Sequence, residues 1–498
     1  MTSGFLCRFN TEFISFKEDE ANGLVNVLVR DNIFGTDYTV QCKYLFGADG
    51  ARSKILRQLD LPLKVGQGAG VEVWNVLIKA DLSRLMQFRG GNLHWTFQED
   101  HLNSGLVWVI HPRMVTPWDV WVVGFFVAPG SSPKSDIPSA HADWAARITR
   151  LIGNENIPVE LLDISRWKLN NSVAQQYSKG RVFCLGDAVH QHTPGGGLGS
   201  NTSVQDAYNL AWKVAYVLKG RYILCDCVFL QSFDILLKQG KLVQSFWSPT
   251  RLKGSQWVHT LLTGTLHRLQ YPNIPVTLME HRAMKVVDQH VEIWGALGLS
   301  SPDLTSLRER LSKLRENSEE GRKLRVKFRE AIQGTCYELQ GIGIEMNQRY
   351  KSTAVYLDDQ GEAPFFHDEL LEYNKTTFPG SRLPHTWLNT ANPSKPISTI
   401  DLAGKGRFTL FTGIGGDQWK MAVPLVTESL GIEISAFSIG IGHDFEDPYF
   451  EWERLREVEE SGCILVRPDR FVAWRCNEVA MDCVSTLTNV IKSVLCLS

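Results

Sequence analysis

What this chain of 498 residues lacks narrows it first. No apolar run approaches the roughly 20 residues a bilayer span needs, and the best of them, Val120–Ala128, is far shorter. The opening residues, MTSGFLCRFNTEF, hold no signal-peptide core, so the chain reads as a soluble, cytoplasmic protein. Its 10 cysteines form no C-x-x-C, and Cys225-x-Cys227 has no second pair at zinc spacing. Scattered along the chain, they read as reduced thiols packed as small apolar groups rather than as a disulfide framework. An excess of one charge is also missing: the net charge is −2, which gives no reason to expect nucleic acid or an anionic membrane as partner. No glycine cluster has the G-x-G-x-x-G spacing of a pyrophosphate cradle; GQGAGV, GGGLGS, GIGIEM, GKGRFT, GIGGDQ and GIGHDF all fail it.

What is present is aromatic and strand-rich. The 15 tryptophans and 24 phenylalanines suit large cores and a pocket for a planar ligand. The length suggests about two to four domains. LVNVLVRD and DYTVQCKYLFGADG read as strands around the turn NIFGT, and ARSKILRQL then takes helical spacing. GVEVWNVLIKADL, GNLHWTFQ, GLVWVIHPR and DVWVVGFFVA predict one mostly antiparallel sheet, followed by a helix over PSAHADWAARITRLIG. NTSVQDAYNLAWKVAYVLKG predicts a helix ending at Gly220. Residues 221–345 read as mostly helical, with SLRERLSKLRENSEEGRKLRVKFREAI as a solvated amphipathic stretch. From Asp401 the pattern becomes a small α/β domain: strands in GRFTLFTGIGG and GIEISAFSIG, a helix over DPYFEWERLREVEESG, and a strand, Pro-Asp turn and strand in CILVRPDRFVAWRC.

Two turns carry chemistry. In the first, Gly47-Ala48-Asp49-Gly50 ends a strand. Its glycines allow close backbone approach, Asp49 can accept hydrogen bonds from a ribose or a loop, and Arg52 and Arg57 add positive charge. In the second, Gly186-Asp187 ends a strand at the sheet's carboxyl edge, where α/β ligands bind, and a carboxylate there suits a sugar or sugar alcohol. Pro194-Gly195-Gly196-Gly197-Leu198-Gly199 then removes side chains so that a flat ring can lie against the backbone. The helix starting at Asn201 and Ser203 would present its positive end to an anionic ring edge. His190 and His192 have no third ligand and no nucleophile beside them, so they read as structural or site-lining groups.

The order GADGARSKILR, a β-rich block, then GDAVHQHTPGGGLGSNTSVQDAYNLAWKVA resembles the FAD-dependent aromatic hydroxylases, in their phenol hydroxylase and dichlorophenol monooxygenase branch. GIEMNQRYKSTAV, PGSRLPHTWL, RFTLFTGIGG and LVRPDRFVAWR resemble that branch's C-terminal segments. The resemblance implies an α/β FAD-binding fold lacking its first βαβ unit, an inserted mostly antiparallel substrate-domain sheet, and a C-terminal thioredoxin-like domain without redox cysteines. The implied domains are residues 1–66 (partial FAD-binding), 67–164 (substrate sheet), 165–345 (remainder of the FAD-binding domain and helical region) and 346–498 (C-terminal domain with its entry segment). The first motif, touching flavin and the NAD(P)H pyrophosphate, is assigned Asp49, Gly50, Ser53 and Arg57. The second, on the FAD ribityl chain and ring edge, is assigned Gly186, Asp187, Pro194, Gly196, Gly197, Gly199, Ser200 and Asn201. FAD and NAD(P)H are the implied cofactors, a small aromatic molecule the substrate, and a homodimer the implied assembly. Trp74, Trp95, Trp108 and Trp121 lie on the substrate sheet, where alternation sends some of them to the core.

The chain departs from the family twice. Measured against the family pattern it is short by roughly a hundred residues before the first motif, the span of the G-x-G-x-x-G unit and the buried acid that helps deprotonate a phenol. The family's Tyr-x-x-Glu-Arg-x-Pro stretch after the second motif is replaced by RYILCDCVFLQSFDILLKQGKLVQSFW. Three functions follow as alternatives: an aromatic monooxygenase, an inactive remnant serving as an interaction module, or a flavin reductase or oxidase. No residue is assigned as catalytic base. With the glycine loop absent, the purified chain should retain little flavin. Absorbance from the near-ultraviolet to the blue checks this, and a stoichiometrically yellow protein would contradict it.

Overall fold

The computed structural model of the chain describes residues 4–65, 72–87, 94, 110–115, 119–126, 141–170, 172–191, 197–220, 304–350, 352–364, 367–390 and 395–497. Apolar–polar alternation makes its first element an antiparallel meander of β1 (Thr11–Asp19), β2 (Leu24–Asp31) and β3 (Thr36–Cys42). Val25 and Val27 face inward from β2, and Gly23 and Gly35 supply the left-handed turns at φ +64° and +66°. β4 (Leu45–Gly47) leads through the first motif into α1 (Lys54–Leu59) and β5 (Leu63–Val65).

Three of the four expected runs, GVEVWNVLIKADL, GLVWVIHPR and DVWVVGFFVA, supply strands of one antiparallel sheet, and GNLHWTFQ lies outside the described residues except for His94. β6 (Glu72–Lys79), β7 (Ile110–Val115), β8 (Val120–Phe126) and β9 (Glu160–Lys168) stand in the order β7-β8-β6-β9, and α2 (His141–Ile152) lies between β8 and β9 in the chain. β9 runs across the expected boundary at residue 164. Val76, Ile78, Trp121, Val123 and Phe125 form one face against Trp144 and Ile148 of α2. Trp144 meets Phe125 edge-on at 5.1 Å and Trp74 at 5.8 Å. Trp74 and Trp121 therefore pack toward α2, whereas Trp95 and Trp108 lie outside the described residues.

The chain then returns to the first unit. β10 (Ser172–Ala174) pairs with β5, and β11 (Ser178–Lys179) forms a hairpin with β12 (Val182–Cys184). β13 (His190–Gln191) pairs with β10, and α3 (Leu198–Leu218) follows, ending as expected near Gly220 at φ +67°. The deciding contact is parallel: Val182, Phe183 and Cys184 of β12 stand in register with Leu45, Phe46 and Gly47 of β4. A β-carbon on Gly47 would meet the Cys184 sulfur at 3.0 Å and Ile55 at 3.1 Å, so this packing admits only glycine there without a shift.

The charged stretch expected as one run is two helices, α4 (Leu304–Arg315) and α5 (Glu319–Gln333). Ser318 interrupts it by capping the second, its hydroxyl accepting from the Gly321 N–H at 3.0 Å. In the C-terminal domain β14 (Trp387–Thr390) and β15 (Ile397–Ser398) pair, and β16 (Phe408–Thr412) leads through α6 (Asp417–Leu430) to β17 (Ile434–Ser438). After β18 (Phe445–Glu446) and α7 (Glu451–Leu455) come β19 (Cys463–Val466), β20 (Val472–Cys476) and α8 (Cys483–Val494). The main sheet runs β17-β16-β19-β20, with β16 and β17 parallel and the other pairs antiparallel. The helix expected over DPYFEWERLREVEESG is only α7, because Phe450 and Glu457 take left-handed φ of +55° and +52° on either side of it. No helix among the described residues is long and apolar enough to cross a membrane.

One side of this sheet and the helices α6 and α8 share a core with α3: Trp212 and Tyr216 pack among Phe408, Leu410, Trp419, Leu465, Trp474 and Leu487. Lys213 of α3 is buried in the same region, and burial, then Arg467, pushes its ammonium down to about 7, with Asp469 opposing. Between that value and the ordinary lysine range, the unfolded chain binds the proton that the folded one refuses. Lysine 213 should therefore make the protein more stable as pH rises through that window, and less stable as pH falls toward 7. Comparing urea unfolding of Lys213→Met with that of the unchanged chain from pH 7 to 10 checks this; equal slopes would contradict it.

Candidate active site

Parallel register sends β4 and β12 out of the same sheet edge, so the two sequence motifs leave side by side. In the first turn Gly50 sits at φ +76° with open space where a β-carbon would stand. Asp49 points one oxygen back at the following helix: Oδ2 accepts from the N–H of Lys54 at 2.7 Å and of Ile55 at 3.2 Å. Its other oxygen has no hydrogen bond among the described residues. Ser53 is buried and caps α1, its Oγ accepting from the Leu56 N–H at 2.9 Å, so it shapes the turn from inside. Arg57 closes the turn by donating Nη2–H to the Arg52 carbonyl at 2.9 Å. Beneath it, burial and then Asp49 push the Cys184 thiol up to about 12, which leaves it as inert packing.

In the second turn Gly186 takes φ +62°, and a β-carbon on it would press on the Ser203 hydroxyl at 3.0 Å. Its N–H donates to Asp206 Oδ2 at 3.0 Å, and the same oxygen lies 2.6 Å from His190 Nε2. Both side chains are buried. Asp206 of α3 thus pins the turn through a backbone amide and an imidazole, which gives His190 a structural role. Among the described residues no group of His, Cys, Asp and Glu could hold a metal ion. Gln191 spans the two motifs, its Nε2–H donating to the Ala51 carbonyl at 3.0 Å. Sequence reading missed Asp206 and Gln191; only the acceptor beside a Gly-Asp turn and the position next to His190 hinted at them.

Asp187, by contrast, is exposed, and its carboxylate takes no hydrogen bond among the described residues. Nearby in the chain, α3 starts from Gly197 at φ +64° with no side-chain cap on its first N–H groups. Asn201 Nδ2–H donates to the Gly197 carbonyl at 2.9 Å and Ser203 Oγ–H to the Gly199 carbonyl at 3.0 Å, so these side chains hold the turn's carbonyls rather than capping its amides. Ser200 and Asn201 are exposed in this first turn. Pro194, Gly196 and His192 lie outside the described residues. A free carboxylate and an uncapped helix start suit a polyol chain and an anionic ring edge, the features of a flavin's riboflavin half.

Residues 1–222 match the FAD binding domain family, and residues 376–496 match the aromatic-ring hydroxylase C-terminal family. The 2,4-dichlorophenol 6-monooxygenase of Delftia acidovorans is 37% identical, covering 94% of this chain and 72% of its own length. The chain belongs to the FAD-dependent aromatic-ring hydroxylases. The phenol 2-monooxygenase of Pseudomonas sp. (strain EST1001) is 36% identical over 98% of this chain and 71% of its own. A crystal structure of the flavin-dependent monooxygenase PieE with FAD and substrate superposes at a TM-score of 0.78, with 32% identity over 99% of this chain and 76% of that one. This hydroxylase is therefore an FAD enzyme of a family whose usual reductant is NAD(P)H, and the relatives favour aromatic hydroxylation over the remnant and oxidase alternatives. Within it, Asp206→Ala should leave the Gly186 amide and His190 without their acceptor and lower stability by about 1–3 kcal/mol. Urea unfolding measures this; a loss below about 0.5 kcal/mol would show that Asp206 does not hold the turn.

Proposed function

We propose that this hydroxylase inserts one oxygen atom from O₂ into a phenolic ring, with polyketide-derived aromatics as the wider substrate class. The observation that supports the cofactor's place is the exposed Asp187 carboxylate just beyond β12, which takes no hydrogen bond among the described residues, together with the start of α3 without a side-chain cap. When bound, FAD supplies the redox chemistry, accepting reducing equivalents from NAD(P)H and activating O₂ for transfer to the ring. The chain's own residues bind, orient and stabilise. Asp187 accepts hydrogen bonds from the polyol hydroxyls, and Gly186 and Gly197 keep the backbone close. The first N–H groups of α3, through Gly199, Ser200 and Asn201, stabilise negative charge on the ring edge facing them. Pro194 and Gly196, which lie outside the described residues, are assigned to the same ring edge on the family resemblance alone. Asp49, Gly50 and Arg57 face the cofactor and the NAD(P)H pyrophosphate, with Ser53 holding their turn. The sheet β7-β8-β6-β9 turns the face away from α2 toward the substrate and excludes water from it.

We read the C-terminal domain as thioredoxin-like, supported by the sheet order β17-β16-β19-β20 with β16 and β17 parallel, and the lack of C-x-x-C fits a structural instead of a redox role for it. A homodimer is the assembly we favour, supported by the exposed Met421 and Leu425 on α6. A cytoplasmic location suits an enzyme that draws on NAD(P)H.

The test supplies saturating FAD with NADH or NADPH and either phenol or 2,4-dichlorophenol. The expected result is substrate-stimulated NAD(P)H oxidation and a product one oxygen atom heavier by mass. Asp187→Ala should weaken FAD binding by about 10–100-fold, the worth of charge-assisted hydrogen bonds. NAD(P)H oxidation that yields only hydrogen peroxide with every phenol tried would overturn the proposal.

A further inference from the structure

Helix α3 has two working faces. Ser203 and Asp206 turn toward the Gly186 turn. Gln205, Asn209, Trp212 and Tyr216 recur at helical spacing on a different face and meet the C-terminal part of the chain. There the contacts are polar as well as apolar. Asp469, in the turn between β19 and β20, accepts from the Trp212 indole N–H at 3.1 Å. It also accepts from Arg467 Nε–H at 2.9 Å and from Arg467 Nη2. The side chains of Arg467 and Asp469 are each 1% exposed. The guanidinium lies 4.9 Å from the Tyr350 ring centre, 5.5 Å from that of Trp212 and 5.7 Å from that of Phe471. Its Nη2 reaches Asn209 Oδ1 at 3.5 Å. About one turn nearer the helix start than Asn209, Gln205 donates to the Tyr350 hydroxyl at 3.1 Å and to Gln348.

An apolar interface alone would hold the two parts together at least as well, because burying an ion pair costs more desolvation than it returns in attraction unless its geometry is good. What hydrogen bonds to Trp212, Asn209 and Gln205 add is direction, since they form at one rotation and one axial position of α3. That position sets where the first turn of α3 lies and where Asp206 meets Gly186. We propose that Arg467 and Asp469 are positioning residues for the flavin site, through which the C-terminal domain fixes the register of α3 and so aims Gly197–Asn201 and the Gly186–Asp187 turn at the cofactor. The proposal rests on the FAD reading of that site.

The test uses the full chain and two variants. Arg467→Met with Asp469→Leu removes both partners of the ion pair together, and Trp212→Phe removes one donor while keeping an aromatic ring. Two readouts are followed: FAD affinity by flavin fluorescence on titration, and hydrogen exchange of the Gly186 amide in the absence of FAD. The double variant should raise the FAD dissociation constant about tenfold and speed Gly186 exchange by a similar factor, and Trp212→Phe should move both the same way by less. If the double variant does not fold, Trp212→Phe decides. Folded variants that bind FAD and protect Gly186 as the unchanged chain does would overturn the proposal and leave an ordinary packing interface. An unchanged chain that binds no added FAD would instead defeat the reading of the site. In that case the exchange measurement still tests the register of α3, with faster exchange supporting it and equal exchange overturning it.

Discussion

Leu45, Phe46 and Gly47 lie in parallel register with Val182, Phe183 and Cys184, and the candidate site exists because of those three pairs. Between the two strands the chain builds a whole antiparallel sheet and its covering helix before coming back. The return brings Gly50 and Asp187 to one sheet edge, each beyond a strand end and each followed by a helix. Small groups make the closeness available: Gly47 leaves room for the Cys184 sulfur, and Gly186 leaves room for Ser203. Gln191 then ties the second turn to the Ala51 carbonyl of the first.

Around this pairing, apolar and polar contacts divide the work. Ile55, Leu56, Leu59, Val173, Val182 and Val189 supply a common core beneath both turns, which gives affinity without direction. Direction comes from a few buried polar groups. Asp206 takes both the Gly186 amide and His190, and Asp469 takes both Trp212 and Arg467. All four contacts converge on α3 or on groups bonded to it. The helix therefore links the candidate cofactor turn near its start to the C-terminal sheet farther along it, and its first turn carries no side-chain cap.

Local chemistry was legible in the sequence and long-range pairing was not. Alternation in LVNVLVRD and DVWVVGFFVA located β2 and β8, and the Pro-Asp turn located the β19–β20 hairpin. The Gly-Asp and Asp-Gly turns were visible because glycine and aspartate commonly end a strand in a turn, which marks a turn but not its ligand. Ser53 looked like a ligand group by position, yet its neighbours use its hydroxyl as a helix cap. Asp206 and Arg467 read as ordinary helix and turn residues, since their partners are 20 and 258 positions away at Gly186 and Asn209. α6 escaped because Pro424 sits inside it, and the charged run looked continuous because a capping serine resembles any other polar residue on a solvated face. Family membership came from resemblance carried by both motifs together, which neither turn alone would have supported.

The central claim is that Asp187 and the start of α3 hold the flavin. A crystal structure of the FAD complex tests it most directly. The account predicts the Asp187 carboxylate within about 2.5–3.0 Å of a ribityl hydroxyl oxygen and the amides of Gly199 and Ser200 facing the ring edge. A flavin whose polyol chain contacts neither Asp187 nor the first turn of α3 would contradict it.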